Sequence, residues 1–438
     1  MPDRNSALTG IPALSAEEEA AKVRELREQI PAATAGIYLN AGSNGPLPRE
    51  VDAAMVQVQA QELATGRGSE HIMDDVEVRV DELRGVFAGV LATDLHRMAV
   101  SHSTTEIVVR FALGIAWRSG DQIVTLDEEY PAVRGSLAAL AARTGAVVRT
   151  VSMRDAAGSP RSDEALIDAV AAHLVAPTRL LVISRVSWIS GRLLPVGPLL
   201  ERARSAGILT ILDGAQSVGA VLDDVDGLDP DVYAFPAQKW LLGIEGLAGA
   251  RVSDRAMGAS GFSPVIGGFL AFNGQPLDGV GEFLPDARRF QMSGFSRPAL
   301  AGSARAAGWL QMQVGLPWAV ARGTRLAADF AAGARTIPGI TLLADSGTHA
   351  TLVSLRLAGW EPEQIVAELG RRAFAITRRV PGLPAAGEQP GSLPAVRFSW
   401  GFWNTGDEVA RILELLALFA AHTPESLPMR PAIDIIHG

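Results

Sequence analysis

The sequence predicts an α/β protein, with a large domain built on a mostly parallel, seven-stranded sheet between helices and a smaller α+β domain after it. The chain has 438 residues, enough for two domains, and 48% of them are hydrophobic, as in ordinary globular proteins. Short apolar segments alternate with helical segments between residues 97 and 252. These segments are apolar on both faces, which is typical of parallel strands covered by helices on each side.

The N-terminal third begins with a predicted helix over residues 14–30, in which Ser15 can act as the N-cap. An extended piece at 38–40 then enters a turn-rich loop at 41–46. Two further helices are predicted at 48–65 and 74–91. The apolar strands that follow are expected near 97–100, 122–126, 146–151, 179–186, 208–212, 231–235 and 247–252. The helices between them are expected near 104–118, 132–143, 163–175 and 198–206.

The C-terminal part has a different pattern. Residues 256–290 are rich in glycine and proline, so we expect a long connection there. The later helices are predicted at 298–333, with an interruption at Pro317, and at 361–372 and 406–421. The later strands are predicted near 340–344, 350–356, 374–379 and 395–400. We therefore divide the chain into an N-terminal helix that packs on the small domain (1–35), a large ligand-binding domain (36–290) and a small C-terminal domain (291–438).

Composition excludes several function classes. The net charge is -9 and no basic stripe is present, so we expect no nucleic-acid partner. The chain has no cysteine, which excludes disulfides, zinc–thiolate sites and a cysteine nucleophile. No apolar run approaches the roughly 20 residues needed to cross a bilayer, and no signal-peptide pattern is visible. We expect a cytoplasmic protein without a membrane contact, and we predict no metal site.

Lysine is almost absent from this chain. Of the 39 basic residues only Lys22 and Lys239 are lysines, and Lys239 stands between an apolar strand and a glycine-containing turn. Arginine can replace lysine at most surfaces, but its guanidinium cannot form an imine with an aldehyde. The retained amine therefore favours an aldehyde cofactor, with pyridoxal 5'-phosphate (PLP) as the leading candidate. The alternative interpretation is a surface lysine at the start of a helix.

Groups that suit PLP follow the other predicted strands. Ser103, Thr104 and Thr105 begin a helix, where hydroxyl and backbone N–H groups can bind a phosphate. The alternative there is ordinary capping, completed by Glu106.

The remaining polar groups suit the ring of the cofactor. Asp213 ends an apolar strand, where a buried carboxylate needs a cationic partner such as a protonated pyridine nitrogen. Alternatively, Asp213 caps a helix at 214–219. Gln216 can donate to the ring oxygen, and Tyr130 can either stack on the ring or pack in the core.

Five segments, in this order and at these spacings, resemble class V of the fold-type I PLP enzymes. This family contains cysteine desulfurases, isopenicillin N epimerase and kynureninase. The segments are Tyr38-Leu-Asn-Ala-Gly-Ser-Asn-Gly-Pro46, Ser103-Thr-Thr-Glu106, Asp213-Gly-Ala-Gln-Ser-Val-Gly219, Gln238-Lys-Trp-Leu-Leu-Gly243 and Val396-Arg-Phe-Ser-Trp-Gly-Phe-Trp-Asn-Thr405. The resemblance extends over roughly residues 36 to 420, and its specificity comes from the combination.

The resemblance implies a homodimer with active sites shared between subunits, acting on a small amino-acid substrate. Lys239 would bind PLP as an imine and move the Cα proton, and Arg397 would hold the substrate α-carboxylate. The other implied cofactor contacts are Ser103, Thr104, Thr105, Tyr130, Asp213, Gln216 and Gln238. Ser293 and Gly294 would reach the phosphate of the partner subunit. The loop 36–46, through Asn40 and Ser43, and the segment 256–296 are expected to line the substrate pocket.

Three positions depart from the family pattern. Pro236 and Gln238 replace the usual serine and histidine near the phosphate, although the Gln238 amide can still donate. Ser293-Gly294 replaces a glycine–threonine pair. Trp188 stands where desulfurases place a polar contact to the cofactor.

The absence of cysteine excludes a persulfide mechanism, so we do not expect a cysteine desulfurase of the usual kind. We expect abstraction of a Cα proton by Lys239, followed by β-elimination such as C–S cleavage, or by epimerisation of a modified amino acid in specialised metabolism. The alternative is transamination with an added keto acid. A non-catalytic PLP-fold protein is a more distant possibility. A dinucleotide-binding fold is excluded because no Gly-x-Gly-x-x-Gly follows the first strand.

Overall fold

Two β-sheets flanked by helices organise the chain. The computed structural model describes residues 14–68, 72–156, 158–274, 279, 281–344, 349–381 and 394–429, without the side chains of 72 and 73.

The first sheet has seven strands, which are β1 Met98–Ser101, β2 Gln122–Leu126, β3 Val147–Val151, β4 Thr178–Ser184, β5 Leu209–Asp213, β6 Val232–Pro236 and β7 Ala248–Val252. Their order in the sheet is β1-β7-β6-β5-β4-β2-β3. The strands from β2 to β6 are mutually parallel, and β7 is antiparallel to both β1 and β6. The central strands β5 and β6 are buried throughout, because helices cover both faces of the sheet. The predicted fold class is confirmed.

Helices fill the chain before and between these strands. Their bounds are α1 Ala16–Glu28, α2 Pro31–Ala35, α3 Arg49–Thr65, α4 Ile72–Leu91, α5 Thr104–Leu113, α6 Pro131–Thr144, α7 Asp163–Ala171, α8 Val196–Ser205, α9 Val225–Leu228 and α10 Asp254–Met257. Ser15 caps α1 through a reciprocal capping box with Glu18. Helix α5 is shorter than the predicted 104–118, because Gly114 closes it through backbone hydrogen bonds to its last carbonyls.

The second sheet is antiparallel, and its strands are β8 Ile340–Leu342, β9 Leu352–Leu357, β10 Arg378–Val380 and β11 Ala395–Ser399. Their order in the sheet is β10-β11-β9-β8. The accompanying helices are α11 Arg297–Trp309, α12 Leu316–Arg335, α13 Pro362–Ala373 and α14 Gly406–Ala420. The predicted interruption of the helix 298–333 is a π-helical segment, Leu310–Val314, followed by Gly315 at φ 82°. Pro317 lies in the first turn of α12, where its missing N–H costs nothing.

The connections between the two sheets bear on the division into domains. Helix α11 packs against α3 and α4, and α4 packs against β1 and β7 of the first sheet. Glu19 of α1 forms ion pairs with Arg322 and Arg325 of α12. The division at residues 35 and 290 stays a prediction. Within the described residues, no helix combines the length and the apolar character that crossing a membrane requires.

Candidate active site

A pocket of about 380 Å³ opens at the carboxyl ends of the parallel strands, the edge at which open α/β sheets bind ligands. Ten of the predicted site residues line it: Ser43, Ser103, Thr104, Thr105, Tyr130, Asp213, Gln216, Gln238, Lys239 and Arg397. Asn40, Ser293 and Gly294 do not. The pocket is also lined by residues for which the sequence predicted no binding role, notably Ser184, Glu245 and Arg378.

Lys239 lies in the turn after β6. The turn is closed by two hydrogen bonds, from Gly243 N–H to the Ala237 carbonyl (2.9 Å) and from Leu242 N–H to the Lys239 carbonyl (3.2 Å). Leu242 has φ 58°, a left-handed conformation that is costly for leucine and common near functional sites. Burial lowers the pKa of Lys239 to about 8, although the negative charge of Asp213 acts to raise it. A useful fraction of the amine is therefore neutral, and so nucleophilic, near neutral pH.

Asp213 is the last residue of β5 and is buried. Its Oδ1 accepts the N–H of Ala215 over 2.8 Å. Burial raises the pKa of Asp213, while the Ala215 N–H and the charge of Lys239 lower it. Such a carboxylate is stabilised by a bound cation, so Asp213 fits the protonated pyridine nitrogen of PLP.

Two buried carboxyl groups in the segment after β2, Glu128 and Glu129, were not assigned a role from the sequence. Glu129 accepts the backbone N–H of Ser184 over 2.7 Å and the Ser184 hydroxyl over 2.5 Å. Ser184 pairs with Asp213 in the register of β4 and β5. Burial raises the pKa of Glu129 to about 8, and the charge of Asp213 adds to this effect. Glu128 accepts the hydroxyls of Ser187 and Ser190.

The start of α5 fits both interpretations left open for it, helix capping and phosphate binding. Ser103 caps the helix, its Oγ accepting the N–H of Glu106 over 3.1 Å. The Thr104 hydroxyl is buried, lines the pocket and has no hydrogen-bond partner in the described part of the chain. An unpaired buried hydroxyl at a helix N-terminus fits a phosphate.

Gln216 has a fixed orientation. Its Oε1 accepts the indole N–H of Trp240 over 3.1 Å, and its Nε2 donates to the Gly42 carbonyl over 2.8 Å. Because an amide nitrogen carries two hydrogens, one N–H remains for a ligand. The role of Gln216 toward the ring oxygen stays a prediction.

Tyr130 and Trp188 form an aromatic wall. Their rings meet edge to face, 5.5 Å apart, and Tyr130 is 43% exposed, which argues against the core-packing interpretation. The buried indole N–H of Trp188 has no partner among the described residues. Trp188 therefore keeps a donor at the position where the family pattern predicts a polar contact.

Arg397 lies on β11 with only 1% of its surface exposed. Its Nη1 donates to the Trp188 carbonyl (3.0 Å) and its Nη2 to Ser43 Oγ (3.1 Å), while Nε is buried with no partner in the described chain. Burial lowers the pKa of Arg397 to about 9, and the charge of Arg378 contributes. An anion would relieve both effects, so Arg397 fits a carboxylate.

The loop 41–46 joins these groups. Gly45 N–H donates to the Gln238 carbonyl over 2.7 Å, and a Cβ on Gly45 would lie 2.2 Å from the Lys239 carbonyl oxygen. A Cβ on Gly42 would lie 2.9 Å from the guanidinium of Arg397. Asn40, outside the pocket, accepts the Ser43 hydroxyl over 2.8 Å and so positions Ser43.

Ser293 and Gly294 lie outside the pocket of their own chain. The Ser293 carbonyl is 3.1 Å from Nε2 of His102, beside the start of α5. Their contact with the phosphate of a partner subunit stays a prediction, as does the homodimer itself.

Fold-type I PLP enzymes are the class that this sheet and the residues at its edge define. The chain belongs to the class V aminotransferase family, whose model matches residues 37–412. The family is PLP-dependent, which confirms the predicted family and cofactor.

Similar proteins support this assignment. The chain is 28% identical to isopenicillin N epimerase of Streptomyces clavuligerus over 392 residues, covering 87% of this chain and 94% of that protein. It is 25% identical to a probable cysteine desulfurase of Methanothermobacter thermautotrophicus over 413 residues, covering 90% and 97% of the two chains. The solved structure of the cystine C–S lyase C-DES with cysteine persulfide shares the fold, with a TM-score of 0.79, 23% identity and coverage of 89% and 99%.

Proposed function

We propose that this chain is an enzyme that removes the Cα proton of an amino-acid substrate and returns a proton to the opposite face, which makes it an epimerase. The observation that carries the proposal is Lys239, a pocket lysine whose pKa is lowered to about 8. Such an amine can act as a base near neutral pH. The similarity to an isopenicillin N epimerase over 94% of that protein's length supports the choice of reaction.

Each group has one task in this reaction. PLP, when bound, acts as an electron sink for the negative charge left at Cα. Arg397 holds the α-carboxylate and so fixes which substituent of Cα points to Lys239. The carboxylate of Asp213 stabilises a positive charge beside it. The hydroxyl of Thr104 can donate a hydrogen bond to a phosphate. Lys239 accepts the Cα proton at Nζ.

β-Elimination is the second candidate, supported by the similarity to a probable cysteine desulfurase over 97% of that protein. It begins with the same proton transfer and ends with loss of the β-substituent. Since the chain has no cysteine, the leaving sulfur cannot be transferred to an enzyme thiol.

The test is proton exchange in D₂O with the PLP-loaded enzyme and a panel of L-amino acids with neutral, acidic and acylated side chains. Loss of the Cα proton signal together with appearance of the other stereoisomer, followed by NMR and chiral chromatography, supports epimerisation. Pyruvate and ammonia without an added keto acid identify elimination, and strict dependence on a keto acid identifies transamination.

Two variants control this test. Lys239→Arg should lose Cα exchange, because the guanidinium stays protonated. Arg379→Gln, which changes an arginine paired with Glu363 outside the pocket, should keep it. Unaltered exchange in Lys239→Arg, or a PLP-loaded wild type that exchanges no Cα proton in the whole panel, would refute the proposal.

A further inference from the structure

Two arginines face each other across the edge of the second sheet. Arg378 of β10 and Arg397 of β11 are direct cross-strand partners in the antiparallel register. Both side chains line the pocket. Like charges placed directly opposite on one face of a sheet are destabilising, so this pair breaks a local rule of sheet construction.

A single hydroxyl links the two guanidinium groups. Ser43 Oγ accepts Nη1 of Arg378 over 2.6 Å and Nη2 of Arg397 over 3.1 Å, and it donates its own proton to Asn40. A neutral hydroxyl orients both cations without neutralising either. The repulsion therefore remains until an anion enters the pocket.

The described residues supply no carboxylate for Arg378. Among the described residues its one side-chain hydrogen bond is to Ser43, and none of them forms an ion pair with it. The two pocket carboxylates face other groups: Asp213 interacts with Lys239, and Glu245 accepts an N–H from Asn44 over 2.7 Å.

The neighbouring residue behaves differently. Arg379, next on the same strand, has Glu363 as its partner. Adjacent residues of a strand point to opposite faces, so only one of these two arginines can face the pocket.

We propose that Arg378 and Ser43 form a second anion subsite, which binds a negatively charged group at the distal end of the substrate side chain while Arg397 binds the α-carboxylate. The substrate class is then an amino acid with a carboxylate or other anion in its side chain. That the bound molecule is a substrate rests on the proposed function. The anion subsite itself rests only on the geometry of Arg378 and Arg397. The exposed position of Arg378 places the subsite at the mouth of the pocket.

The test measures binding and needs no turnover. Isothermal titration of the PLP-loaded enzyme compares glutarate and adipate with pentanoate and hexanoate, which have the same chain lengths and one carboxylate each. We expect at least one diacid to bind about 10-fold more tightly than its monoacid, the size expected for one charge-assisted contact. In Arg378→Gln this preference should disappear, with monoacid binding unchanged, and Arg378→Lys should retain part of it.

Arg379→Gln is the matched control and should keep the full preference. The thermal midpoint of Arg378→Gln should not fall below that of the wild type, because the change removes a repulsion. Two outcomes would overturn the inference: no diacid preference in the wild type at either length, or an equal loss of diacid and monoacid binding in Arg378→Gln, which would mean that both arginines hold one carboxylate. Because proton exchange is not measured, a diacid preference lost in Arg378→Gln supports the subsite even if the exchange test of the proposed function fails.

Discussion

Trp240 donates its indole N–H to Oε1 of Gln216 over 3.1 Å. Because an indole nitrogen is only a donor, this contact determines that Nε2 of Gln216 faces the Gly42 carbonyl and the pocket. The residue after Lys239 thus orients the amide that the family resemblance assigns to the cofactor.

Trp240→Phe should disturb the cofactor without abolishing its binding. The loss leaves Oε1 of Gln216 buried and unpaired, at a cost of about 1–3 kcal/mol, and allows the amide to flip. We expect a shifted absorbance maximum of bound PLP and a lower thermal midpoint. Trp360→Phe deletes another indole N–H donor, which is shared between the Phe419 and His422 carbonyls outside the pocket. It should lower the midpoint and leave the spectrum unchanged; an unshifted spectrum in Trp240→Phe would contradict the role of this contact.

The amine of Lys239 should titrate with a pKa of about 8 in the cofactor-free protein. The charge of Asp213 raises this pKa and that of Arg397 lowers it. Asp213→Asn should therefore move the titration to lower pH, and Arg397→Gln should move it to higher pH. Acylation by acetic anhydride at a series of pH values, followed by peptide mass spectrometry, measures the neutral fraction directly.

This titration has an internal control, because Lys22 is the only other lysine in the chain. Lys22 lies over the ring of Trp318, away from the pocket, and its labelling should be the same in all variants. Shifts of the same sign in Asp213→Asn and Arg397→Gln would be incompatible with the proposed electrostatics.

Gly45→Ala should move Lys239. The new Cβ would lie 2.2 Å from the Lys239 carbonyl oxygen, so the backbone of one of the two segments has to shift. We expect weaker PLP binding and a kcat reduced by about 10-fold or more, since small displacements of reacting groups are costly. Gly370→Ala, on helix α13 with 3.8 Å of room, is the matched control and should be at least as stable as the wild type. PLP affinity equal to that of the wild type in Gly45→Ala would show that the contact can relax.

Glu129 should make stability fall as pH rises. Its pKa is raised from 4.5 to about 8, so the folded state favours the protonated carboxyl. That stabilisation is complete below pH 4.5 and is lost as pH rises through about 8, by up to about 1.4 kcal/mol per pH unit. Glutamine mimics the protonated group and can keep both contacts to Ser184.

The free energy of unfolding of Glu129→Gln, relative to that of the wild type, should therefore increase as the pH rises from 5.5 to 8. Urea unfolding at several pH values measures this difference. Glu128→Gln serves as a second buried variant, bonded to Ser187 and Ser190 instead. Parallel curves for Glu129→Gln and the wild type would mean that Glu129 is ionised in the folded protein.

The first sheet could be predicted from the sequence because its strands are apolar on both faces and are separated by helices. The same pattern placed Asp213 and Lys239 at one edge, since parallel strands end on the same side of a sheet. Residues close in sequence to those strand ends, such as Thr104, were found by the same rule.

Arg378 could not be predicted in this way. The strand expected at 374–379 lies at Arg378–Val380, since Phe374 has φ 50° and closes α13. A shift of one residue reverses which side chains face the pocket, so the sequence could not distinguish Arg378 from Arg379. Glu129 was missed for a related reason: its contact with Ser184 spans 55 positions and leaves no local pattern.

The segment from Tyr38 to Gly45 is bonded to both halves of the site. Leu39 N–H donates to the Ile376 carbonyl, Ser399 N–H donates to the Leu39 carbonyl, and Gly45 N–H donates to the Gln238 carbonyl. This short segment thus fixes the distance between the turn that carries Lys239 and the strand that carries Arg397. A bulkier substrate cannot gain room by moving the two sheets apart unless these backbone hydrogen bonds break. New substrate specificities therefore have to arise from changes at the rim of the pocket, where Arg378 lies.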